Sequence, residues 1–241
     1  MRLRKTLAVA AALPTLLVIS ACSSETDEGT GHDRSPSPTK AASTGEKKKA
    51  DEAKRIGALP PQELKKATLS GESAGFDFKQ VSKADVEAGR DMKADKAECQ
   101  PLASLAGGYT NIKAVSVEHR SLEPSEAENA TVGSMWLAAH SKKNAKQVMT
   151  DLRTSLKKCP KGFKTLGLTY KGVDQLRDPS LGDDAVGYRI TSAVGKQTVP
   201  MTYTVVRKGG VIAAFYGVNM LTPKKSAIPE TTIKTQLAKF G

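Results

Sequence analysis

The first 22 residues constrain this chain most, because they decide in which compartment the rest of it folds. A short basic segment, Arg2, Arg4 and Lys5, precedes the apolar run 7–19. This run is shorter than the about 20 residues that a helix needs to cross a bilayer, and the pattern is typical of a secretory signal. We therefore expect the leader to be removed and the remainder to lie outside the cytoplasm.

The leader closes with Ile19-Ser20-Ala21-Cys22. This run resembles the lipobox of bacterial lipoproteins, in which an aliphatic residue and two small residues precede a cysteine. The resemblance implies that residues 1–21 are cut off and that the Cys22 thiol carries a diacylglyceryl group, often with a further acyl chain such as palmitate on the freed amine. Two or more chains anchor a protein durably. We expect attachment to the extracytoplasmic face of the cell membrane, and the alternative is an ordinary signal peptide with a chance cysteine.

Two further cysteines follow the one assigned to lipid. Cys99 and Cys159 form a disulfide in our interpretation, because such a pair outside the reducing cytoplasm tends to be oxidised. A bridge that closes a loop of 60 residues stabilises a fold by about 4 kcal/mol in the chain-entropy model. Free buried thiols or a reactive site are the alternatives, and the absence of a CxxC motif in the sequence leaves a redox role without support.

The net charge is +12, and removal of the three leader cations leaves +9. Such a protein would be drawn toward anionic lipid headgroups or anionic wall polymers, although solubilising charge scattered over the surface is the simpler explanation of the excess. A lysine group around Cys159 is a candidate polymer-binding patch, or it simply suits the dipole at a helix C-terminus. Its members are Lys157, Lys158, Lys161 and Lys164. Aromatic residues make up only 5% of the chain and are not interleaved with basic ones, so we expect no nucleic-acid partner.

Composition divides the mature chain into two parts. Residues 22–57 are rich in Ser, Pro, Thr and charged side chains, with almost no large apolar residue before Ile56, and we expect a disordered tether there. Residues 58–241 are long enough for a single core. Their patterns predict helices over 61–69, 98–106 and 142–159 and from 229 onward, a polar connection over 83–96, and strands over 76–81, 112–122, 130–139, 165–176, 185–194, 198–206 and 211–218. This order predicts an α+β fold, an antiparallel β-sheet packed by a few α-helices.

Five short motifs follow one another along the domain. They are Leu59-Pro60-Pro61, Glu98-Cys99, a strand with Trp136, Cys159 after a helix, and Leu181-Gly182-Asp183-Asp184 before a strand. In these the domain resembles the extracellular sensor domain of PknH-type serine/threonine kinases and the related free-standing actinobacterial lipoproteins. The resemblance implies a sheet-and-helix sandwich with a cleft for an unidentified small ligand. Family members commonly carry two disulfides, whereas this chain can form one, and no kinase part is present in the sequence.

Two motifs raise the question of catalysis. Gly71-Glu72-Ser73-Ala74-Gly75 matches G-x-S-x-G, but the hydrolase elbow needs a strand before the serine and a helix after it, and here the flanks are reversed. Asp183 and Asp184 are neighbours at the start of a predicted strand, so their side chains point to opposite faces and do not converge on one substrate atom.

Cofactor chemistry has no sequence basis, because His119 and His140 stand apart without paired ligand spacing. We therefore expect a lipid-anchored, extracytoplasmic binding or sensing module without catalytic activity, cofactor or metal. The alternatives are a cell-envelope hydrolase that uses Ser73 or Asp183, and a basic wall-associated protein that binds anionic polymers.

Overall fold

The alternating strands of the sequence build one antiparallel sheet in the computed structural model, which describes residues 38–240. The leader, Cys22 and the tether up to residue 37 lie outside the described residues. Helices α1 to α6 span Pro38–Ile56, Pro61–Ala67, Lys83–Arg90, Gln100–Ala106, Lys142–Lys158 and Glu230–Leu237. Strands β1 to β9 span Gly71–Ser73, Phe76–Gln80, Ser116–Pro124, Val132–Ala139, Phe163–Thr165, Leu168–Gln175, Asp184–Val194, Gln197–Lys208 and Val211–Val218.

The strand order in the sheet is β1-β2-β3-β4-β9-β8-β7-β6-β5, so β9 returns to lie between β4 and β8. Each face of the sheet carries its own apolar cluster. On one face, α4 and α5 pack against side chains that include Trp136, Tyr188 and Tyr203. On the other face, α2 and α6 pack against a cluster that includes Phe76 and Phe215. The predicted α+β class, an antiparallel sheet packed by helices, is confirmed.

Aromatic side chains cross the middle of the first face from strand to strand. Tyr188 stacks on Tyr203 with ring centroids 4.8 Å apart, and Tyr203 stacks on Tyr216 at 5.3 Å. Trp136 lies 6.1 Å from Tyr216. Each such pair contributes about 1 kcal/mol beyond the area it buries, and burial raises the pKa of both Tyr188 and Tyr203 well above the usual value. The ladder ties β7, β8, β9 and β4 into a rigid platform.

A disulfide joins Cys99 and Cys159, as the sequence predicts, with their Cα atoms 5.9 Å apart. Cys99 immediately precedes α4, and Cys159 immediately follows α5. The Ser155 hydroxyl of α5 also donates a hydrogen bond to the Glu98 carbonyl. The bridge therefore fixes the end of α5 to the start of α4.

Two segment predictions were wrong. The polar connection over 83–96 contains α3, which the sequence analysis overlooked although Ser82 caps it by accepting a hydrogen bond from the Asp85 N–H at 3.2 Å. The single strand expected over 165–176 is instead the hairpin β5–β6, because the chain reverses at Leu166-Gly167. Leucine is not a residue that signals such a turn.

Helix α1 lies within the range 22–57, where the sequence analysis expects a tether. From Glu46 onward its charged side chains are exposed, as in a solvated segment, but Ala53 is fully buried. The Ala58 N–H donates to the Ala53 carbonyl at 2.8 Å, and α1 contacts α2. The last turns of α1 therefore pack on the domain. Among residues 38–240, no helix combines the length and the apolar character that crossing a bilayer requires.

Candidate functional site

The antiparallel register gives the sheet two ends with different surfaces. The cleft end contains the start of β3, the end of β4 and the N-terminus of α5, which Ser141 caps. The turn end contains the tight turns of β1–β2, β5–β6 and β7–β8.

At the cleft end, two adjoining cavities of about 590 and 490 Å³ share the side chains of Lys49, Lys113, Ala114 and Val115. Together they form what we call the cationic cleft. One wall is α1, a second is the segment 109–117, and α3 and the first turn of α5 close the sides. The cleft is therefore built by elements that are far apart in the sequence.

Cationic side chains dominate the lining of this cleft. They are Lys48, Lys49, Arg55, Arg90 and Lys113, and the single carboxylate in the lining is that of Glu52. The Glu52 carboxylate accepts two hydrogen bonds from the Arg55 guanidinium, at 2.6 and 2.7 Å, and this contact lowers its pKa. Within the described part of the chain, the three lysines form no ion pair. A cleft lined mainly by positive charge concentrates the electric field and therefore attracts anions.

An aromatic side chain forms the inner wall. The Tyr109 hydroxyl donates to the Val86 carbonyl at 2.9 Å, which fastens the 109–117 segment to α3. The Arg90 guanidinium lies 5.6 Å from the centre of the Tyr109 ring, within the range of a cation–π contact. The His119 ring meets Tyr109 edge to face at 5.3 Å. The wall therefore offers a π-face beside positive charge.

His119 is a neutral part of that wall. One of its ring nitrogens, Nε2, lies 2.7 Å from the Gly108 carbonyl, so this nitrogen carries the proton and donates. Burial lowers the pKa of His119, chiefly because the charged ring would lose solvation. Gly108 has φ +82°, and a Cβ there would lie 2.9 Å from His119 Nε2, so the close approach needs glycine.

His140 lies behind the cleft wall and is almost completely buried. Its Nε2 lies 3.1 Å from Thr110 Oγ1, and its Nδ1 has no hydrogen-bond partner among the described residues. Burial lowers its pKa to about 4. Neither histidine has a carboxylate hydrogen-bonded to it within residues 38–240, so no oriented general base of the kind used in catalytic triads is present there.

The serine of the G-x-S-x-G motif does not meet a histidine. Ser73 lies in β1 directly opposite Phe76, on a turn formed by Ala74 and Gly75. Phe76 in turn pairs with Pro124, which is five residues along β3 from His119. At about 3.3 Å per residue this separation is roughly 17 Å. The serine therefore lies in a β-hairpin and not on a nucleophile elbow.

The two neighbouring aspartates have separate structural partners. Asp183 accepts hydrogen bonds from Arg207 Nη1 at 2.7 Å and from the Gly209 N–H at 2.8 Å, and the bond from Gly209 is the main reason that its pKa is lowered. Asp184 accepts from Arg153 Nη2 at 2.7 Å. The two aspartate side chains bind different partners and do not converge, as expected for adjacent positions at the start of a strand. Residues 38–240 contain no cluster of His, Cys, Asp and Glu that could hold a metal ion.

The lysine group around Cys159 does not belong to the cationic cleft. Lys157 and Lys158 end α5, Lys161 lies in the following turn and Lys164 lies on β5, and all four side chains are exposed. None of them forms an ion pair with a described residue. Because β5 runs toward the turn end, this group flanks that end of the sheet.

Sequence reasoning missed the cationic cleft itself. Its cations come from α1, which the composition assigned to a tether, and from Lys113 and Arg90, which lie in segments interpreted as a strand and a polar connection. The one usable signal in the sequence was the run of three lysines at 47–49.

Comparison with known proteins gives a distant structural likeness. No family model matches the chain, and no curated protein matches it. Among solved structures, the extracellular domain of PknH from Mycobacterium tuberculosis is similar over 75% of this chain and 89% of that domain, with 10% sequence identity and a TM-score of 0.41. This is the family that the sequence motifs resemble.

Proposed function

We propose that this protein is a lipid-anchored, extracytoplasmic binding module without catalytic activity, and that a small anion is its ligand. The observation that carries the proposal is the cationic cleft. Three lysines line it without an ion pair among the described residues, and Tyr109 supplies an aromatic wall. Pockets of a few hundred Å³ with a few convergent polar groups are the usual form of small-ligand sites.

The extracytoplasmic location rests on the leader and gains support from the disulfide. A stable bridge between Cys99 and Cys159 suits an oxidising compartment and not the cytoplasm. The lipid anchor rests on Cys22 alone. In cells of the source organism, replacement of Cys22 by serine is expected to move the protein from the detergent phase to the aqueous phase on phase partitioning. Retention of the serine variant in the detergent phase would contradict the anchor.

A cell-envelope hydrolase is the less favoured function. Ser73 lies on an edge hairpin that pairs with β3 at Pro124, roughly 17 Å along that strand from His119, and Asp183 is engaged by Arg207 and Gly209. A basic, wall-associated protein that binds anionic polymers has one observation in its favour, which is the exposed lysine group at 157–164.

A titration with 8-anilinonaphthalene-1-sulfonate tests the cleft. This probe combines an anionic group with aromatic rings, and its fluorescence rises on transfer to an apolar site. The mature protein is expected to bind it, and Lys113→Glu is expected to weaken binding about tenfold, since reversal of a charge in contact changes the interaction by roughly 1–2 kcal/mol.

The matched control is Lys158→Glu, which makes the same charge change outside the cationic cleft. We expect its affinity for the probe to equal that of the unchanged protein. Equal weakening by both variants would show a diffuse electrostatic effect and would exclude the cleft as the binding site. It would favour the polymer-binding alternative.

A further inference from the structure

Exposed apolar side chains lie at the turn end of the sheet in two groups, one beside β4 and β9 and the other at the β5–β6 turn. Among the described residues, five large apolar side chains are between 44% and 83% exposed. They are Val132, Leu166, Leu168, Met220 and Leu221. Val132 begins β4 opposite Val218, and Met220 and Leu221 follow β9. Leu166 lies in the β5–β6 turn, and Leu168 follows the turn as the first residue of β6. All five therefore lie at the end opposite to the cationic cleft.

The β5–β6 turn holds its leucine in an unfavourable backbone conformation. Leu166 has φ +45°, and it shares this left-handed conformation with Gly167 at φ +76°. Two-residue turns of this type favour Asn or Asp followed by Gly, because a bulky side chain is strained at positive φ. The equivalent position in the β1–β2 turn carries the small residue Ala74. An exposed leucine is therefore unfavourable at this position of the turn, and the backbone conformation of the turn gives no reason for its presence.

Lysines surround the same turn. Lys93 and Lys164 line one shallow concavity together with Leu166 and Leu168. The neighbouring β7–β8 turn carries the exposed Lys196. Beyond them, toward the end of α5, lie the remaining members of the lysine group, Lys157, Lys158 and Lys161.

Acidic residues at this end of the sheet either accept a hydrogen bond from the backbone of the turn region or lie away from the β5–β6 turn. Asp95 lies in the concavity, where its carboxylate accepts a hydrogen bond from the Lys164 N–H at 2.8 Å. Glu126 and Glu128 lie near Leu221 on the connection between β3 and β4. The basic excess is therefore greatest around the β5–β6 turn.

We propose that the turn end docks on an anionic lipid bilayer, with Leu166 and Leu168 inserted at the acyl-chain boundary and the surrounding lysines among the headgroups. Apolar side chains flanked by Lys are the usual composition of surfaces that bind such membranes. A second copy of this chain is a poorer partner, because its lysines would repel those of the first. The inference goes beyond the proposed function, since docking uses the folded domain and places the cationic cleft at the end away from the bilayer.

Vesicle co-sedimentation of the mature chain carrying Cys22→Ser tests the docking without the lipid anchor. We expect binding to vesicles of equal parts phosphatidylglycerol and phosphatidylcholine, and much weaker binding to phosphatidylcholine alone. The variant Leu166→Asn places a favoured turn residue at the strained position, so it should fold at least as well while it weakens vesicle binding about tenfold. Lys164→Glu should weaken it about fivefold or more, since each lysine near an anionic surface contributes such a factor.

The matched control is Ala74→Asn, which makes the same new residue at the equivalent position of the other hairpin and should leave vesicle binding unchanged. Unchanged binding by Leu166→Asn, with a normal melting curve, would overturn the proposal. Two further results would also overturn it: retention on polyphosphate that depends on the lysines while vesicles are not bound, or a Leu166-dependent dimer in sedimentation without vesicle binding. None of these results alters binding of the sulfonate probe in the cationic cleft, so the two proposals fail separately.

Discussion

The cleft end and the turn end of the sheet carry the same sign of charge but differ in what lies between the cations. At the cleft end, Lys49 and Lys113 border a concave surface with Tyr109 and several hydrogen-bonding groups. At the turn end, Lys93 and Lys164 border exposed leucines. A concave site encloses a small anion, whereas an apolar tip fits an extended surface. Both partners proposed above are therefore anionic, and the side chains between the cations distinguish the small anion proposed for the cleft from the bilayer proposed for the turn end.

The elements that hold the two ends also differ. The end of α5 and the start of β5 are fixed by the disulfide through Cys159. The cleft end is fixed by packing and by hydrogen bonds such as that between His140 and Thr110. The following predictions separate these two kinds of support.

The largest effect is expected from removal of the disulfide. The double variant Cys99→Ala/Cys159→Ala should lower the free energy of unfolding by about 4 kcal/mol, because the unfolded chain regains the freedom of a loop of 60 residues. Urea denaturation measures this change. Hydrogen exchange should increase more in β5 and β6 than in the 109–117 segment, since Cys159 leads directly into β5. An equal increase in hydrogen exchange at both ends would show that the disulfide does not support the turn end more than the cleft end.

A pH effect is expected from the cleft end. The pKa of His140 is about 4 in the folded protein, below its ordinary value of about 6.5 in an unfolded chain. Between these values the unfolded chain binds a proton that the folded chain does not, so the free energy of unfolding falls as the pH falls. Between pH 7 and pH 4, His140 should account for a loss of about 3 kcal/mol.

Denaturation of the His140→Gln variant at several pH values measures that contribution. The variant keeps a donor near Thr110 but does not titrate, so its stability should depend less steeply on pH than that of the unchanged protein. His119→Gln is the matched control at the partly exposed wall, and we expect it to change the slope less. Identical slopes for the unchanged protein and His140→Gln would contradict the assignment.

The smallest effect on the free energy of unfolding is expected from a substitution at the turn end. Leu166→Asn is expected to raise the free energy of unfolding by about 1 kcal/mol, because asparagine tolerates the left-handed conformation that strains leucine. Thermal melts of this variant and of Ala74→Asn, whose replaced side chain is smaller, measure the difference. A destabilised Leu166→Asn variant would mean that the leucine contributes to the fold and not to a docking surface.

Much of the fold follows from local patterns. Ser141 as a helix cap, the apolar spacing of α5 and the alternation in β3, β4 and β7 to β9 were sufficient to predict an α+β domain with antiparallel strands. The position of β9 between β4 and β8 was not predictable in this way, because the pairing of β9 with β4 joins segments that are far apart in the chain. The β5–β6 turn was missed for a physical reason: Leu166 occupies a position where the local preference is for another residue.

The candidate site was predictable only in its chemistry. Positive charge was evident from composition, and the lysine group at 157–164 was found from sequence proximity. The cationic cleft depends on the packing of α1 beside Lys113 and the first turn of α5, and no periodicity signals that contact. Sequence proximity therefore identified the lysines that flank the turn end and missed those that share a cavity.

The outer side of β5 is closed by a short backbone contact. The Asp95 N–H donates to the Lys164 carbonyl at 2.9 Å, and the Asp95 carboxylate accepts from the Lys164 N–H at 2.8 Å. A strand with free backbone groups at the border of a sheet would invite the sheet of another molecule to join it. Because both backbone groups of Lys164 are already occupied, β5 is closed to edge-to-edge pairing with the sheet of another copy.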